Sequence, residues 1–188
     1  RDMAQTVEPG YIRSPRVTFA RPANTTPYSI ADALASTATA GDVTPLEFEV
    51  ARENGGSGKI IGASLLTDSA TAFGAIRLHL FNRPPFAVAG YQADNAALAL
   101  TYAALGIGAV DAPGGGPLPR NALPFIDFTT FTAQSASAEA IGLCDQTELD
   151  FVCLPDRKLI YGLLEVRAVF TPASAQSFTA SLSSQGMT

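Results

Sequence analysis

Apolar residues in this chain alternate with polar ones over short stretches, and glycine or proline cuts each stretch off. No other feature limits the possible folds as strongly. Leu46, Phe48 and Val50 alternate with Glu47 and Glu49, and Ile76, Leu78 and Leu80 alternate with Arg77, His79 and Phe81. Leu164, Val166, Ala168 and Phe170 alternate with Glu165, Arg167 and Val169, within the longest such segment, residues 159–170. A period of two places apolar side chains on one face of an extended strand, so each segment reads as a half-buried β-strand. Further strands are expected over residues 16–21, 59–67, 147–154 and at Phe178, Ala180 and Leu182, with a β-prone aromatic run at Phe125, Ile126, Phe128 and Phe131.

The punctuation agrees with this reading. Asn54-Gly55-Gly56-Ser57-Gly58 reads as a hairpin turn, because glycine accepts the positive φ that tight turns demand. Pro84-Pro85 ends a strand, since neither residue can donate to a ladder. Residues 113–117 form a Gly/Pro-rich loop. Asp94-Asn95 before Ala96–Leu100 fits an N-capped helical turn, while Leu98, Leu100 and Tyr102 fit a strand equally well. No long helical period and no internal repeat is present. The expectation is an all-β, antiparallel β-sandwich, jelly-roll-like, with at most one short helix; a strongly twisted open barrel is the other form. Residues 1–15, with Pro9, Gly10 and Pro15, show no hydrophobic period and read as an extended N-terminal arm before a single domain over residues 16–188.

Composition narrows the function. A net charge of −5, with twelve Lys and Arg scattered singly or in loose pairs such as Arg157-Lys158, argues against nucleic acid as a partner. The longest apolar stretch, residues 96–110, is broken by Thr101, Gly106 and Gly108 and is too short to cross a membrane. Arg1–Thr6 shows no signal-peptide pattern, and Asn24-Thr25-Thr26, a glycosylation sequon by pattern, reads as a polar loop. Only 15% of residues are charged, against about 25% in typical soluble domains, which suggests a surface covered in part by copies of itself or by a large partner.

Catalytic patterns fail one after another. Around Gly55–Ile60, the stretch Glu53–Ile60 has Glu53 and Ile60 where a phosphate loop needs Gly and Ser or Thr. Ser57 lacks the second glycine of a nucleophile elbow. His79 is the single histidine and sits inside a strand on the face opposite the apolar residues. Glu47 and Glu49 share one strand face about 7 Å apart, whereas glycosidase carboxylates normally flank a cleft from different strands. Cys144 and Cys153 lack metal-ligand partners; they pair if their strands are adjacent and otherwise are two partly buried thiols. Asp42, Asp94, Asp145 and Asp150 build no calcium loop. No catalytic residue, cofactor or metal is therefore expected.

Several segments, in order, carry a resemblance: Thr18–Tyr28, Ala40–Val43, Ala51–Ile60, Arg77–Pro85, Asp94–Ala97, Tyr161–Ala168 and Phe170–Ala175. Together they resemble a family of small virion structural proteins of tailed bacteriophages, over about residues 17–182. The chain departs from that pattern by an insertion between Tyr28 and Gly41 and by an enlarged loop around residues 113–119. The resemblance implies a non-enzymatic capsid decoration or cement protein, with the major capsid protein as partner and self-association as a dimer or trimer. It implies synthesis in the host bacterial cytoplasm and residence on the capsid surface of the virion. A tail, collar or head-completion component is one alternative. A carbohydrate- or receptor-binding module, with Tyr91 or Tyr102 as an aromatic platform, is another.

Overall fold

The computed structural model describes residues 10–39, 44–69, 74–84, 93–98, 123–133, 140–144 and 148–187. Twelve strands run through them: β1 (Ile12–Arg13), β2 (Arg16–Ala20), β3 (Ala33–Leu34), β4 (Leu46–Glu49), β5 (Ser57–Thr67) and β6 (Ile76–Phe81), then β7 (Ile126–Phe128), β8 (Phe131–Ala133), β9 (Ala140–Leu143), β10 (Leu149–Val152), β11 (Leu159–Val166) and β12 (Ser177–Met187). They form two antiparallel sheets packed face to face. The larger has the order β1-β12-β5-β9-β8, with β2 on β12 and β10 on β5; the smaller has the order β3-β11-β6-β7, with β4 on β11. The architecture is a β-sandwich, as the alternation dictates. These strand orders do not establish the jelly-roll form expected of it.

The core lies between the sheets. Ile60, Leu65, Phe151, Phe178 and Leu182 from the larger sheet meet Phe48, Leu78, Phe128, Ile160 and Leu164 from the smaller one. Each such side chain, fully withdrawn from water, contributes roughly 1.5–3 kcal/mol. Gly162 makes room in β11: a Cβ there would come within 2.7 Å of a Leu78 methyl and 3.0 Å of the Phe48 ring.

Four readings need correction. Gly55 does take a positive φ, 73°, but residues 50–56 do not close a hairpin. β4 pairs with β11 and β5 pairs with β12, so this passage carries the chain from the small sheet to the large one. The segment at 159–170 is not the longest strand; β11 has 8 residues, and β5 and β12 have 11 each. Through β11 it is also buried on both faces rather than one, while Arg167 and Val169 beyond it are exposed. Part of the stretch read as an arm belongs to the sheet. Ile12 opposes Gln185 and Arg13 opposes Ser184, in the same register that places Arg16 opposite Ser181, so residues 11–20 follow β12 as one edge strand. Residues 1–9 lie outside the described part.

At residues 93–98 there is neither helix nor strand, only a turn and one bridge between Asp32 and Ala97. Asn95 sits at φ 61°, which stops a helix at its start. The Asp94 carboxylate, which a capped helix would aim at its own amides, is bound elsewhere. The loop at 113–117 and both Tyr91 and Tyr102 lie outside the described residues.

Candidate functional site

Two sheet faces point away from the core, and they differ in chemistry. On the larger sheet, directly paired residues share a face, so the outward rows follow from the register. One row is Thr18, Thr179, Leu66, Ile141 and Thr132; the next is Arg16, Ser181, Ser64 and Leu143. Further along come Ile12, Gln185, Lys59 and Asp150, then Ser57 and Val152. Ile61 stands at the irregularity where Ser183 opposes Gly62 but Ser184 opposes Ile60, so one extra residue bulges outward.

Eight large apolar side chains are exposed among the described residues, and five of them, Ile12, Ile61, Leu66, Leu143 and Val152, stand on this one face. Leu143 is 57% exposed and Ile12 66%. Between them lie mostly hydroxyls, including Thr18 and Thr179, whose Oγ1 atoms are 2.8 Å apart. With β5 and β12 each 11 residues long, the face measures about 36 Å by about 19 Å across four strand positions. That is roughly 700 Å², close to the ~800 Å² per partner of a standard protein interface.

The outer face of the smaller sheet is polar at one end. Arg77 opposes both Asp127 and Glu165, and His79 opposes Leu163. Arg77 grips Asp127 through two bonds of 2.7 and 2.8 Å, which holds the Asp127 carboxyl below the usual carboxylate range. His79 Nε2 lies 2.7 Å from Glu165 Oε2, and Arg167 reaches Glu165 Oε1 at 3.0 Å. Burial lowers the His79 pKa, with the Glu165 contact opposing that shift and Arg77 and Arg167 adding to it. The Arg77 guanidinium also covers one side of the Phe125 ring at 3.6 Å from its centroid, and Phe125 is 50% exposed. At the other end of this face, Phe81, Tyr161, Leu163 and Ala35 form a separate apolar cluster. His79 therefore faces away from the core as the alternation requires, but it is hydrogen-bonded to Glu165 and mostly covered rather than solvated.

A third polar group is wholly buried and was not legible as a site. Arg21 and Asp94 have no exposed side-chain surface and lie 3.0 Å apart. Arg21 also donates to the Tyr28 hydroxyl at 2.8 Å, to Asn24 Oδ1 at 3.0 Å and to the carbonyl of Asn24. The Tyr28 hydroxyl donates to Asp94 Oδ1, which also accepts from the Ala35 amide at 3.1 Å. Tyr28 stacks on Phe170 with ring centroids 4.9 Å apart. Burial, and then the Asp94 carboxylate, push the Tyr28 pKa well above its ordinary value. The network ties the end of β2 to the 93–98 turn and to β3. Two of the segments that carry the resemblance, Thr18–Tyr28 and Asp94–Ala97, meet here. Read separately they look like a strand end and a turn; nothing in the spacing says that their charges pair.

The remaining residues singled out in the sequence are held in local contacts. Glu49 accepts from Arg13 at 2.5 Å and from Lys158 at 2.8 Å, and the Lys158 bond keeps its carboxyl below the usual range. Glu47 points outward across from Tyr161. Ser57 pairs into β5 opposite Val152. Cys144 and Cys153 are not joined in a disulfide; Cys144 Sγ contacts the Ala63 amide and carbonyl at 3.1 and 3.3 Å, and burial pushes the Cys153 thiol up to about 11. Asp94 belongs to the buried network and Asp150 to the outer face, while Asp42 and Asp145 lie outside the described residues. Comparison of the chain with protein-family models, curated proteins and solved structures returned no match.

Proposed function

We propose that this chain is a non-enzymatic adhesive module, a virion structural protein that docks by the outer face of its larger sheet on a repeated protein surface. The capsid shell is the surface that fits the resemblance, with the major capsid protein as partner. One observation carries the reading: five large aliphatic side chains stand exposed together on a broad sheet face otherwise dressed mainly in Ser and Thr. Soluble monomers rarely leave apolar patches of several hundred Å² in water, and such patches mark contact sites. Hydroxyl groups between the aliphatics cost little to desolvate when the partner offers backbone acceptors. A β-sandwich supplies a rigid plane, so little ordering entropy is lost on docking.

The test is quantitative mass spectrometry of purified particles, followed by co-sedimentation of the isolated chain with bare shells. A decoration protein is present in hundreds of copies per particle, and Leu66→Asp or Leu143→Asp removes co-sedimentation while leaving the fold intact. Absence from the particle refutes the reading. A few to some tens of copies moves the assignment to the tail, collar or head-completion position.

A second reading, a carbohydrate-binding module, draws on Phe125. Its half-exposed ring beside the charge-balanced pairs Arg77–Asp127 and Arg167–Glu165 has the aromatic and planar polar groups that a sugar ring uses. Glycan-array binding lost in Phe125→Ala, with shell binding retained, distinguishes the two.

A further inference from the structure

We infer that β2 is the contact edge of a two-fold dimer in which the larger sheets of two copies join into one continuous sheet. Strand β2 pairs with β12 on one side and, among the described residues, with nothing on the other. Which of its backbone groups face that open side follows from two hydrogen bonds. The Leu182 amide donates to the Pro15 carbonyl at 3.1 Å, and the Arg21 amide donates to the Gln176 carbonyl at 3.0 Å. With the register fixed, the odd-numbered residues bond to β12. The N–H and C=O groups of Arg16, Thr18 and Ala20 therefore point outward in a row.

Natural edges of this kind are usually blunted by proline, inward charge or a bulge. Here the proline within the strand, Pro15, turns its missing N–H toward β12 and leaves the outward row intact. Pro22 stands just beyond the other end and closes the usable stretch at five residues. The inner side chains of the edge, Val17 and Phe19, are only half buried. Phe19 stacks on Phe178 at 5.8 Å, and a crevice of about 30 Å³ lies beside it, bounded by Leu34 and Leu46. A strand added at this edge would cover both.

The occupant that fits is β2 of a second copy, antiparallel and centred on Thr18. That register sets Thr18 against Thr18 and Arg16 against Ala20 of the other copy, using all five residues. Centring on Arg16 would oppose two like charges, which is unfavourable across strands. Centring on Ala20 would set Thr18 against Pro22, which has no N–H to give. Val17 of one copy then packs against Phe19 of the other. This dimer stands whether or not the chain docks on a shell.

Sedimentation equilibrium on the full 188-residue chain tests it. The expected result is a concentration-dependent dimer of twice 19.5 kDa. Thr18→Pro removes one outward N–H and no backbone bond to β12, only the exposed hydroxyl contact with Thr179, so the variant keeps its far-UV circular dichroism and sediments as a monomer. Thr18→Lys, which places two ammonium groups across the axis without touching the backbone, weakens dimerisation by at least about tenfold. Leu66→Asp, on the sheet face and away from the edge, leaves the dimer unchanged. A chain that stays monomeric at millimolar concentration overturns the inference. So does a dimer that survives both Thr18 variants, or one that Leu66→Asp dissolves, since the latter would be face stacking.

Discussion

Replacing Asp94 with alanine should be among the most damaging single changes in this protein outside the apolar core. Arg21 and Asp94 are both withdrawn from solvent, 3.0 Å apart. Forming such a pair gains little over an apolar pair, because both ions lose their hydration. Removing one partner is different: the guanidinium stays buried without its counter-ion, which costs about 3–5 kcal/mol. Asp94→Ala also strips the acceptor from the Tyr28 hydroxyl and the Ala35 amide, so the expected loss lies near 5 kcal/mol, the upper end of that range. Domains of this size are stable by about 5–15 kcal/mol in total, so a third or more of the margin goes. The melting temperature falls by roughly 10–20 °C. Urea unfolding followed by far-UV circular dichroism and tyrosine fluorescence reads the loss; the chain contains no tryptophan. The decisive comparison adds Arg21→Met. With no stranded charge left, the double variant is more stable than the sum of the singles predicts, by about 2 kcal/mol or more. A loss below about 1 kcal/mol for Asp94→Ala, the value of an exposed pair, refutes the reasoning. Zero coupling between the two sites does so as well.

Three further outcomes follow from the same contacts. The folded state raises the Tyr28 pKa, so the unfolded chain releases that proton first and stability falls as pH rises above about 10; Tyr28→Phe loses that slope in alkaline denaturation curves, and an unchanged slope contradicts it. The folded state lowers the His79 pKa, so the unfolded chain binds a proton first and stability falls as pH drops below about 6.5; in His79→Gln, unfolding midpoints measured between pH 7.5 and 5 lose that component. A Cβ on Gly58 would meet the Gln185 carbonyl and the Phe151 ring, so Gly58→Ala costs about 1–3 kcal/mol in urea unfolding, and a neutral result shows that β5 and β12 can separate freely.

The strands were legible where one face of a segment is wet. Leu46-Glu47-Phe48-Glu49 and Ile76–Phe81 announce both the strand and its inward face, because burial sorts their side chains by a period of two. The signal faded where both faces are covered, as in β11, since a continuous apolar run carries no period. Connections were harder. Asn54–Gly58 has the residues of a tight turn, and glycine does adopt the turn geometry, but local chemistry cannot say whether the next strand pairs with its neighbour or crosses to the other sheet. The buried Arg21–Tyr28–Asp94 network joins residues 66 or more positions apart on the Asp94 side. Its only sequence cue is a set of polar residues in a chain with few charges. The outer face of the larger sheet combines five exposed aliphatics from four strands, one of them at a bulge, and becomes a patch only once the register is known.

Tyr11 lies across from Gly186, so the two ends of the described fold leave it side by side at one corner. Load applied through that corner would strain the rungs between residues 11–20 and β12 one at a time, like a peeled tape, instead of all at once. Little force is needed to open such a seam. The peel runs only as far as Arg21, whose clasp on Asp94 sits at the far end of the seam and halts it there. A sandwich fastened in this way yields readily at its corner and then holds.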